Sequence, residues 1–351
     1  MFPTIISQPG VLRWRGMTRR DLLIAAPAVM RAQGAGWRTG DPAALGLDGA
    51  LLRDLGAALG GRGCVVRDGV VASTWGAQNE HADVFSSAKP LLSTLLFLAV
   101  EEGRLAGVDA AIGPYWPQLA PKDRSISFAH LANMMSGYAR PEPPGTAWAY
   151  NDYAIQLYQQ TLFDRVFRQT PETAAHVRLA ALGLEDGLRF RERNRRLSAT
   201  VRDFARIAWM WLEKGAWNGR QIVPRAYFER YQQPRVPFDL PHTAAAETDD
   251  YLGIGTFGGG SDHFTQFGAG AYGFNWWFNR KGRLHPDRTL WPDAPADTFL
   301  SIGAFGNNAV MIPSLRLVLV SSQGEWGALE GGAPAAPMNR HIARLAASVK
   351  R

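Results

Sequence analysis

Apolar residues near the start of the chain follow first a helical and then a strand pattern. Helical spacing runs over 48–59, with leucines at positions 51, 52, 55 and 59. Two β-branched runs then flank Asp68-Gly69, a dipeptide that favours the tight turn of a β-hairpin. We therefore predict a helix followed by two paired strands.

The rest of the chain has helical patterns in its middle and β-rich runs near its end. A short helix is predicted within 125–137, and a longer one over 197–214 with Ser198 as its N-cap. Residues 237–271 are rich in glycine and are expected to form surface loops. Three late strands are predicted at 298–303, 308–312 and 316–321, and a final helix is predicted at 338–350. Strands at both ends with helices between them predict an α/β (α+β) sheet domain with a large, mostly helical insertion.

Residues 1–32 have the pattern of an export signal. The segment TRRDLL at 18–23 resembles the twin-arginine motif, and an apolar stretch over 22–30 with small residues near Ala28 and Ala32 follows it. We expect a periplasmic or secreted protein, with an ordinary amphipathic helix and a cytoplasmic protein as the alternative. The segment holds five arginines and one aspartate, a net of +4, so the formal net charge of +7 falls to +3 without it.

Composition excludes several classes of protein. The remaining charges are scattered except for RFRERNRR at 189–196, which is either a solvated face or a site for an anionic partner. Nucleic-acid binding is not implied, and no stretch of 18 apolar residues predicts a membrane-spanning helix. The seven histidines lack metal-ligand spacing, so neither a metal nor a cofactor is expected. Cys64 is the only cysteine, which excludes an intramolecular disulfide.

One serine and one lysine are spaced for nucleophilic catalysis. Ser86 and Lys89 are three residues apart at the start of an apolar helical stretch, so both project from one helix face. A serine hydroxyl needs a neighbour to accept its proton. A lysine can do so once desolvation or a second cation lowers its pKa, or it can lower the pKa of a nearby tyrosine instead. A capping serine and a surface lysine are the alternative interpretation.

Further segments complete an ordered set of motifs. They are FSSAKP at 85–90, HL at 130–131 with SG at 136–137, PGTAWAYND at 144–152, DFAR at 203–206 with GAWNG at 215–219, and YGFNWW at 272–277. In this order they resemble the serine β-lactamase and penicillin-binding-protein superfamily, nearest its class C β-lactamase, esterase and D-alanyl-D-alanine peptidase branch. The resemblance implies an antiparallel sheet flanked by N- and C-terminal helices. It places one hydrolase domain over 37–351, with a sheet subdomain at about 41–84 and 291–351 and a helical subdomain at about 85–290.

The resemblance also implies a role for each matching residue. Ser86 is the nucleophile, Lys89 is its partner, and Tyr150 is the general base that also protonates the leaving group. The N–H groups of Ser86 and Ala304 form the oxyanion hole, and Gly303 permits close backbone approach. Tyr150 as an ordinary core tyrosine is the alternative, and Trp276 with Trp277 is expected to pack rather than to stack on substrate.

Two positions depart from the pattern of the family. Asp152 stands at its asparagine, and Ser301 stands at the start of its third motif, where the family has a cation. Asp152 adds a negative charge, and Ser301 lacks the positive charge of the family. Both changes argue against β-lactams and D-Ala-D-Ala peptides as substrates, because these carry a carboxylate. The alternative for Asp152 is that it caps the helix that follows.

We therefore expect a serine hydrolase that forms an acyl-enzyme on a small-molecule ester or amide, or on a peptide, without a cofactor. Alternatives are a β-lactamase or D-alanyl-D-alanine carboxypeptidase, and a catalytically silent member of the family that binds ligands.

Overall fold

The computed structural model describes residues 37–192, 194–243, 250–256, 268–327 and 335–350. The predicted export segment and parts of the 237–271 loops lie outside these residues. The helices are α1 (Gly49–Leu59), α2 (Lys89–Glu101), α3 (Phe128–Ala132), α4 (Asp152–Gln160), which continues as a π-helix (Thr161–Phe167), α5 (Pro171–Leu179), α6 (Val201–Leu212), α7 (Arg225–Tyr231) and α8 (Ala335–Ala347). The strands are β1 (Arg62–Arg67), β2 (Val70–Trp75), β3 (Ala82–Asp83), β4 (Arg189–Phe190), β5 (Leu197–Ala199), β6 (Ala216–Trp217), β7 (Arg220–Gln221), β8 (Tyr272–Gly273), β9 (Trp276–Phe278), β10 (Lys281–Gly282), β11 (His285–Thr289), β12 (Phe299–Gly303), β13 (Asn307–Ile312) and β14 (Leu317–Ser322).

Seven strands form one antiparallel sheet in the order β2-β1-β14-β13-β12-β9-β8. The predicted hairpin joins β1 to β2, and Asp68 and Gly69 have φ of 49° and 73°, as a two-residue type I′ turn requires. The late strands lie within one residue of their predicted bounds. Strands β8 and β9 come from the segment assigned to the helical subdomain, so the sheet takes strands from that segment as well.

Helices flank the sheet as predicted. The first helix, α1, contacts β2 and α8, whereas α6 packs on β1, β13 and β14. The prediction that Ser198 caps α6 is wrong, because Ser198 lies in β5 and pairs there with Asp83 and Arg189. The cap is Thr200, whose hydroxyl accepts from the Asp203 backbone N–H at 3.3 Å.

Helix α2 runs through the core of the molecule, since every residue over 89–99 is buried. Its two buried hydroxyl side chains are hydrogen-bonded: Ser93 donates to Asn275 Oδ1 at 2.8 Å, and Thr94 accepts from Trp211 Nε1 at 2.9 Å. A buried polar network of this kind fixes the rotation of the helix. The N-terminus of α2 is therefore a rigid support for the residues that precede it.

Among the described residues no helix is both long enough and apolar enough to cross a membrane.

Candidate active site

The turn that carries Ser86 is strained. Phe85–Ala88 form a 3₁₀ turn that runs directly into α2. Phe85 has φ of 50°, in the left-handed region that residues with a Cβ rarely adopt. Its backbone N–H donates to Asp83 Oδ1 at 2.8 Å, which helps to hold the turn. Strain of this kind concentrates at functional sites.

Lys89 connects the predicted nucleophile to a carboxylate. Its Nζ donates to Ser86 Oγ at 2.6 Å and lies 3.2 Å from Asp152 Oδ1. The Lys89 and Asp152 side chains are only 9% and 17% exposed, so water screens their interaction less than it screens a surface pair. The structure thus places the lysine beside the serine, as predicted, and adds an acidic partner on its other side.

Tyr150 completes the cluster. Its side chain is buried, is hydrogen-bonded to that of Ser86, and has Lys89 Nζ 4.9 Å from its ring centroid. Burial and then the charge of Asp152 raise the pKa of Tyr150 above its ordinary value, although the hydrogen bond with Ser86 lowers it. The phenol therefore keeps its proton at neutral pH. The ring also stacks on Trp277, with centroids 5.9 Å apart, so Tyr150 is both a packed tyrosine and a neighbour of the nucleophile.

Asp152 does not cap the helix that it begins. The N-cap of α4 is Asn151, whose Oδ1 accepts from the Ala154 backbone N–H at 3.2 Å. Asn151 also donates from Nδ2 to the Tyr138 carbonyl at 2.6 Å, which fixes the turn between Tyr150 and α4. The carboxylate of Asp152 is directed to Lys89 instead, so the capping alternative is wrong.

Gly303 ends β12 against Phe85–Ala88, which we call the nucleophile turn after the predicted role of Ser86. A Cβ at this position would lie 2.5 Å from the Val84 carbonyl oxygen and 2.9 Å from the Ser87 backbone nitrogen, so no larger residue fits. Ala304 follows at the edge of the same cavity as Ser86. An oxyanion hole needs two backbone N–H groups that converge on one point, and the one expected at Ser86 and Ala304 stays a prediction.

Ser301 lies elsewhere than predicted. Its side chain is fully buried, and its hydroxyl lies 2.6 Å from that of Ser87. The Ser87 hydroxyl also lies 3.2 Å from the Ser301 carbonyl oxygen. Ser301 is therefore behind the nucleophile turn and does not line the cavity of Ser86, although its place at the start of the third motif predicted a position that contacts substrate. Trp276 and Trp277 are buried as well, which agrees with a packing role for both.

Ser86, Lys89 and Asp152 line one cavity of about 1150 Å³. Two further residues at its wall, Phe305 and Arg196, are not predicted as site residues by the sequence motifs. Phe305 is 75% exposed and its ring lies edge-on to that of Phe85, with centroids 5.0 Å apart. Arg196 lies over the Phe85 ring at 4.5 Å and forms an ion pair with Asp83. A large apolar side chain in a turn between two predicted strands was the signal that could have identified Phe305.

The basic run at 189–196 is thus not simply a solvated face, because two of its arginines, Arg195 and Arg196, line the cavity. Among the described residues, no group of three His, Cys, Asp or Glu side chains is arranged to hold a metal ion.

Solved structures similar to this chain share its fold at low identity. A penicillin-binding protein homolog from Caulobacter crescentus has 16% identity and a TM-score of 0.60, over 85% of this chain and 97% of that chain. A beta-lactamase/D-alanine carboxypeptidase from Yersinia pestis, complexed with citrate, has 14% identity and a TM-score of 0.55, over 86% of this chain and 96% of that chain. EstCE1, a hydrolase with promiscuous acyltransferase activity, has 13% identity and a TM-score of 0.57, over 88% of this chain and 97% of that chain. A search of curated proteins finds no match.

The family comparison covers most of the chain. The Beta-lactamase family model matches residues 49–323, which includes α1, the nucleophile turn, the Tyr150 segment and the sheet up to the end of β14. The fold, the order of the motifs and this match agree, and the chain therefore belongs to the beta-lactamase family of serine hydrolases.

Proposed function

We propose that this protein hydrolyses an ester or amide bond of a neutral small molecule through an acyl-enzyme on Ser86. The observation that carries the proposal is the distance of 2.6 Å between Lys89 Nζ and Ser86 Oγ. A weak nucleophile is activated by a neighbour at hydrogen-bond distance. The name of EstCE1 supports acyl-transfer chemistry on this fold, although fold alone does not establish an activity.

The proposed proton path uses Lys89 as the base and Tyr150 as the acid. Ser86 Oγ attacks the acyl carbon, and its proton passes to a neutral Lys89 Nζ, where Asp152 stabilises the ammonium that forms. The N–H groups of Ser86 and Ala304 stabilise the tetrahedral oxyanion. Tyr150 gives its phenolic proton to the departing oxygen or nitrogen and regains one from Lys89.

Deacylation repeats the same path with water. A water molecule attacks the acyl carbon and gives its proton to Lys89, and Tyr150 then protonates Ser86 Oγ as the acid product forms. The protonated state of Tyr150 in the resting site supports this assignment, because a leaving-group acid must carry its proton. Both half-reactions return Lys89 and Tyr150 to their starting forms.

The charges around the cavity support a neutral substrate. The arginines in its wall are all bound to carboxylates: Arg62 to Glu80, Arg195 to Asp164 and Arg196 to Asp83. Asp152 adds a carboxylate beside the nucleophile, and Ser301 brings no cation. An anionic substrate would therefore meet little net attraction near Ser86.

Labelling with a fluorophosphonate probe, followed by peptide mapping, tests the nucleophile. We expect the label on Ser86, and we expect Ser86→Ala to lose both the label and the hydrolysis of short p-nitrophenyl esters while its circular dichroism is unchanged. Ser87→Ala is the matched control, since it removes the adjacent hydroxyl and should keep the label. Undiminished turnover by Ser86→Ala would overturn the mechanism.

We also infer that the protein is exported, because Arg19-Arg20 precedes an apolar stretch that ends in small residues. Residues 1–36 fused to a folded reporter should carry it across the membrane, and changing both arginines to lysine should stop transport. A fusion that stays in the cytoplasm with its arginines intact would contradict export.

A further inference from the structure

The backbone that leads into Tyr150 is held by a segment far along the chain. The Trp148 N–H donates to the Pro241 carbonyl at 2.8 Å, and the Trp148 carbonyl accepts from the Thr243 N–H at 3.0 Å. These bonds form a parallel bridge between Trp148 and His242. The two rings also lie against each other, with centroids 4.9 Å apart. The position of Tyr150 therefore depends on contacts outside its own segment.

The backbone that follows Tyr150 is held through a second tyrosine. Asn151 donates from Nδ2 to the carbonyl oxygen of Tyr138 at 2.6 Å. The side chain of Tyr138 is fully buried, and its hydroxyl donates to Asp250 Oδ1 at 2.6 Å. Asp250 is fixed in turn, because its carboxylate oxygens accept from two backbone N–H groups of the loop at 250–256. A chain of hydrogen bonds thus runs from Asp250 through Tyr138 to the turn after Tyr150.

The segment that carries Tyr138 is strained. Met134 and Ala139 have φ of 58° and 50°, in the left-handed region that residues with a Cβ rarely adopt. Such conformations persist where the surrounding structure holds them. Tyr138 lies between these two residues, so the hydrogen bond of its hydroxyl helps to fix a backbone that its own preferences would not select.

We infer that Tyr138 and Asp250 are positioning residues for Tyr150. The inference rests on the proposed function, in which Tyr150 protonates the leaving group. Tyr138 and Asp250 act through Asn151, which joins them to the turn that carries the acid. Proton transfer requires the donor oxygen within hydrogen-bond reach of the leaving atom, and a displacement of about 1 Å can lower a rate about a hundredfold.

Replacing Tyr138 with phenylalanine tests the inference. The variant loses the hydroxyl and keeps both the ring and the carbonyl that accepts from Asn151. A misplaced acid slows the substrates that need its proton, whereas general damage to the site slows all substrates alike. We expect kcat/KM for ethyl acetate to fall about tenfold or more, and that for p-nitrophenyl acetate, which has the same acyl group, to fall less than about twofold.

Tyr251→Phe is the matched control. Tyr251 belongs to the same loop as Asp250, and its hydroxyl donates to Asp123 Oδ2 at 2.8 Å. The control therefore also removes one hydroxyl that is bonded to a carboxylate. This bond anchors the loop to a 3₁₀ turn that precedes α3. The ratio of kcat/KM for p-nitrophenyl acetate to that for ethyl acetate should stay at its wild-type value.

A second variant covers a failure to fold. Asp250→Ala removes the acceptor of the Tyr138 hydroxyl at a half-buried position. We expect it to raise the same ratio as Tyr138→Phe does. If circular dichroism shows that Tyr138→Phe is unfolded, Asp250→Ala decides.

Tyr150→Phe separates the two levels of inference. If it lowers kcat/KM equally for both esters, Tyr150 is not the acid, and the proposed proton path and this inference both fail. If it slows ethyl acetate far more, but the folded Tyr138→Phe leaves the ratio unchanged, the positioning role is wrong and the proton path stands. A ratio that rises as much in Tyr251→Phe as in Tyr138→Phe would likewise overturn the positioning role.

Discussion

The carboxylate of Asp152 lies 3.2 Å from Nζ of Lys89, at the position where the resembled enzymes have an asparagine. The pair places a negative charge beside the group that we propose takes up the proton of Ser86. Burial is the largest cause of the raised pKa of Tyr150, and the charge of Asp152 is the second. Asp152 therefore contacts Lys89 and also favours the protonated form of Tyr150.

Replacing Tyr150 with phenylalanine should affect substrates according to their leaving group. Because the pKa of Tyr150 is raised above about 10, less than about one molecule in a thousand holds a tyrosinate at pH 7. The phenol thus stays a proton donor through the neutral range and loses its proton only above the ordinary tyrosine value. An alkyl alcohol needs a proton to leave, whereas p-nitrophenolate does not. We expect Tyr150→Phe to lower kcat/KM at least about a hundredfold for an ethyl ester and less than about tenfold for a p-nitrophenyl ester.

The comparison separates the two roles that the resemblance assigns to Tyr150. Equal losses for both esters would mean that Tyr150 removes the proton of Ser86, as a general base does. Tyr153→Phe removes a hydroxyl from the first turn of α4 and should leave both rates unchanged. Circular dichroism should show that both variants are folded.

Features that depend on residues close together in the chain were predicted from the sequence. The three-residue interval from Ser86 to Lys89, the turn at Asp68-Gly69 and the β-rich runs of the late strands each specify local geometry, and the structure has all of them. The wall of the cavity depends on elements that are far apart in the chain. Arg196 lies in a charged run without periodicity, and nothing in that run indicates a contact with Phe85.

The internal position of Ser301 could have been predicted from the sequence. Side chains alternate along a strand, so residues 301 and 303 of β12 face the same side. Gly303 is required because that side meets the nucleophile turn, and Ser301 must then face the same turn. The need for glycine at position 303 thus already implied that position 301 is internal.

Charge on the substrate provides a further prediction, in which wild type is compared with Asp152→Asn. We expect wild type to hydrolyse a neutral ester with higher kcat/KM than nitrocefin, because Lys89 and the arginines of the cavity are already paired with carboxylates and the carboxylate of nitrocefin would approach Asp152. Asp152→Asn should lower the ratio of kcat/KM for the neutral ester to that for nitrocefin by about tenfold or more, since about 1.4 kcal/mol corresponds to a factor of ten. Efficient hydrolysis of nitrocefin by wild type would mean that an arginine of the cavity, such as Arg196, exchanges its carboxylate partner for the substrate.

Introducing the missing cation at position 301 should fail for a structural reason. Ser301→Lys would place an ammonium in a fully buried position, against the hydroxyl of Ser87, where no carboxylate is in contact with Ser301 in the described structure. Burying an uncompensated charge costs about 3 to 5 kcal/mol or more, so Tm should fall by several degrees without any gain in nitrocefin hydrolysis. Ser301→Ala, the matched control, should cost only about 1 kcal/mol because it removes one hydrogen bond. Thermal unfolding followed by circular dichroism, together with nitrocefin kinetics, checks both variants. A stable Ser301→Lys enzyme with increased nitrocefin activity would show that position 301 reaches the substrate after all.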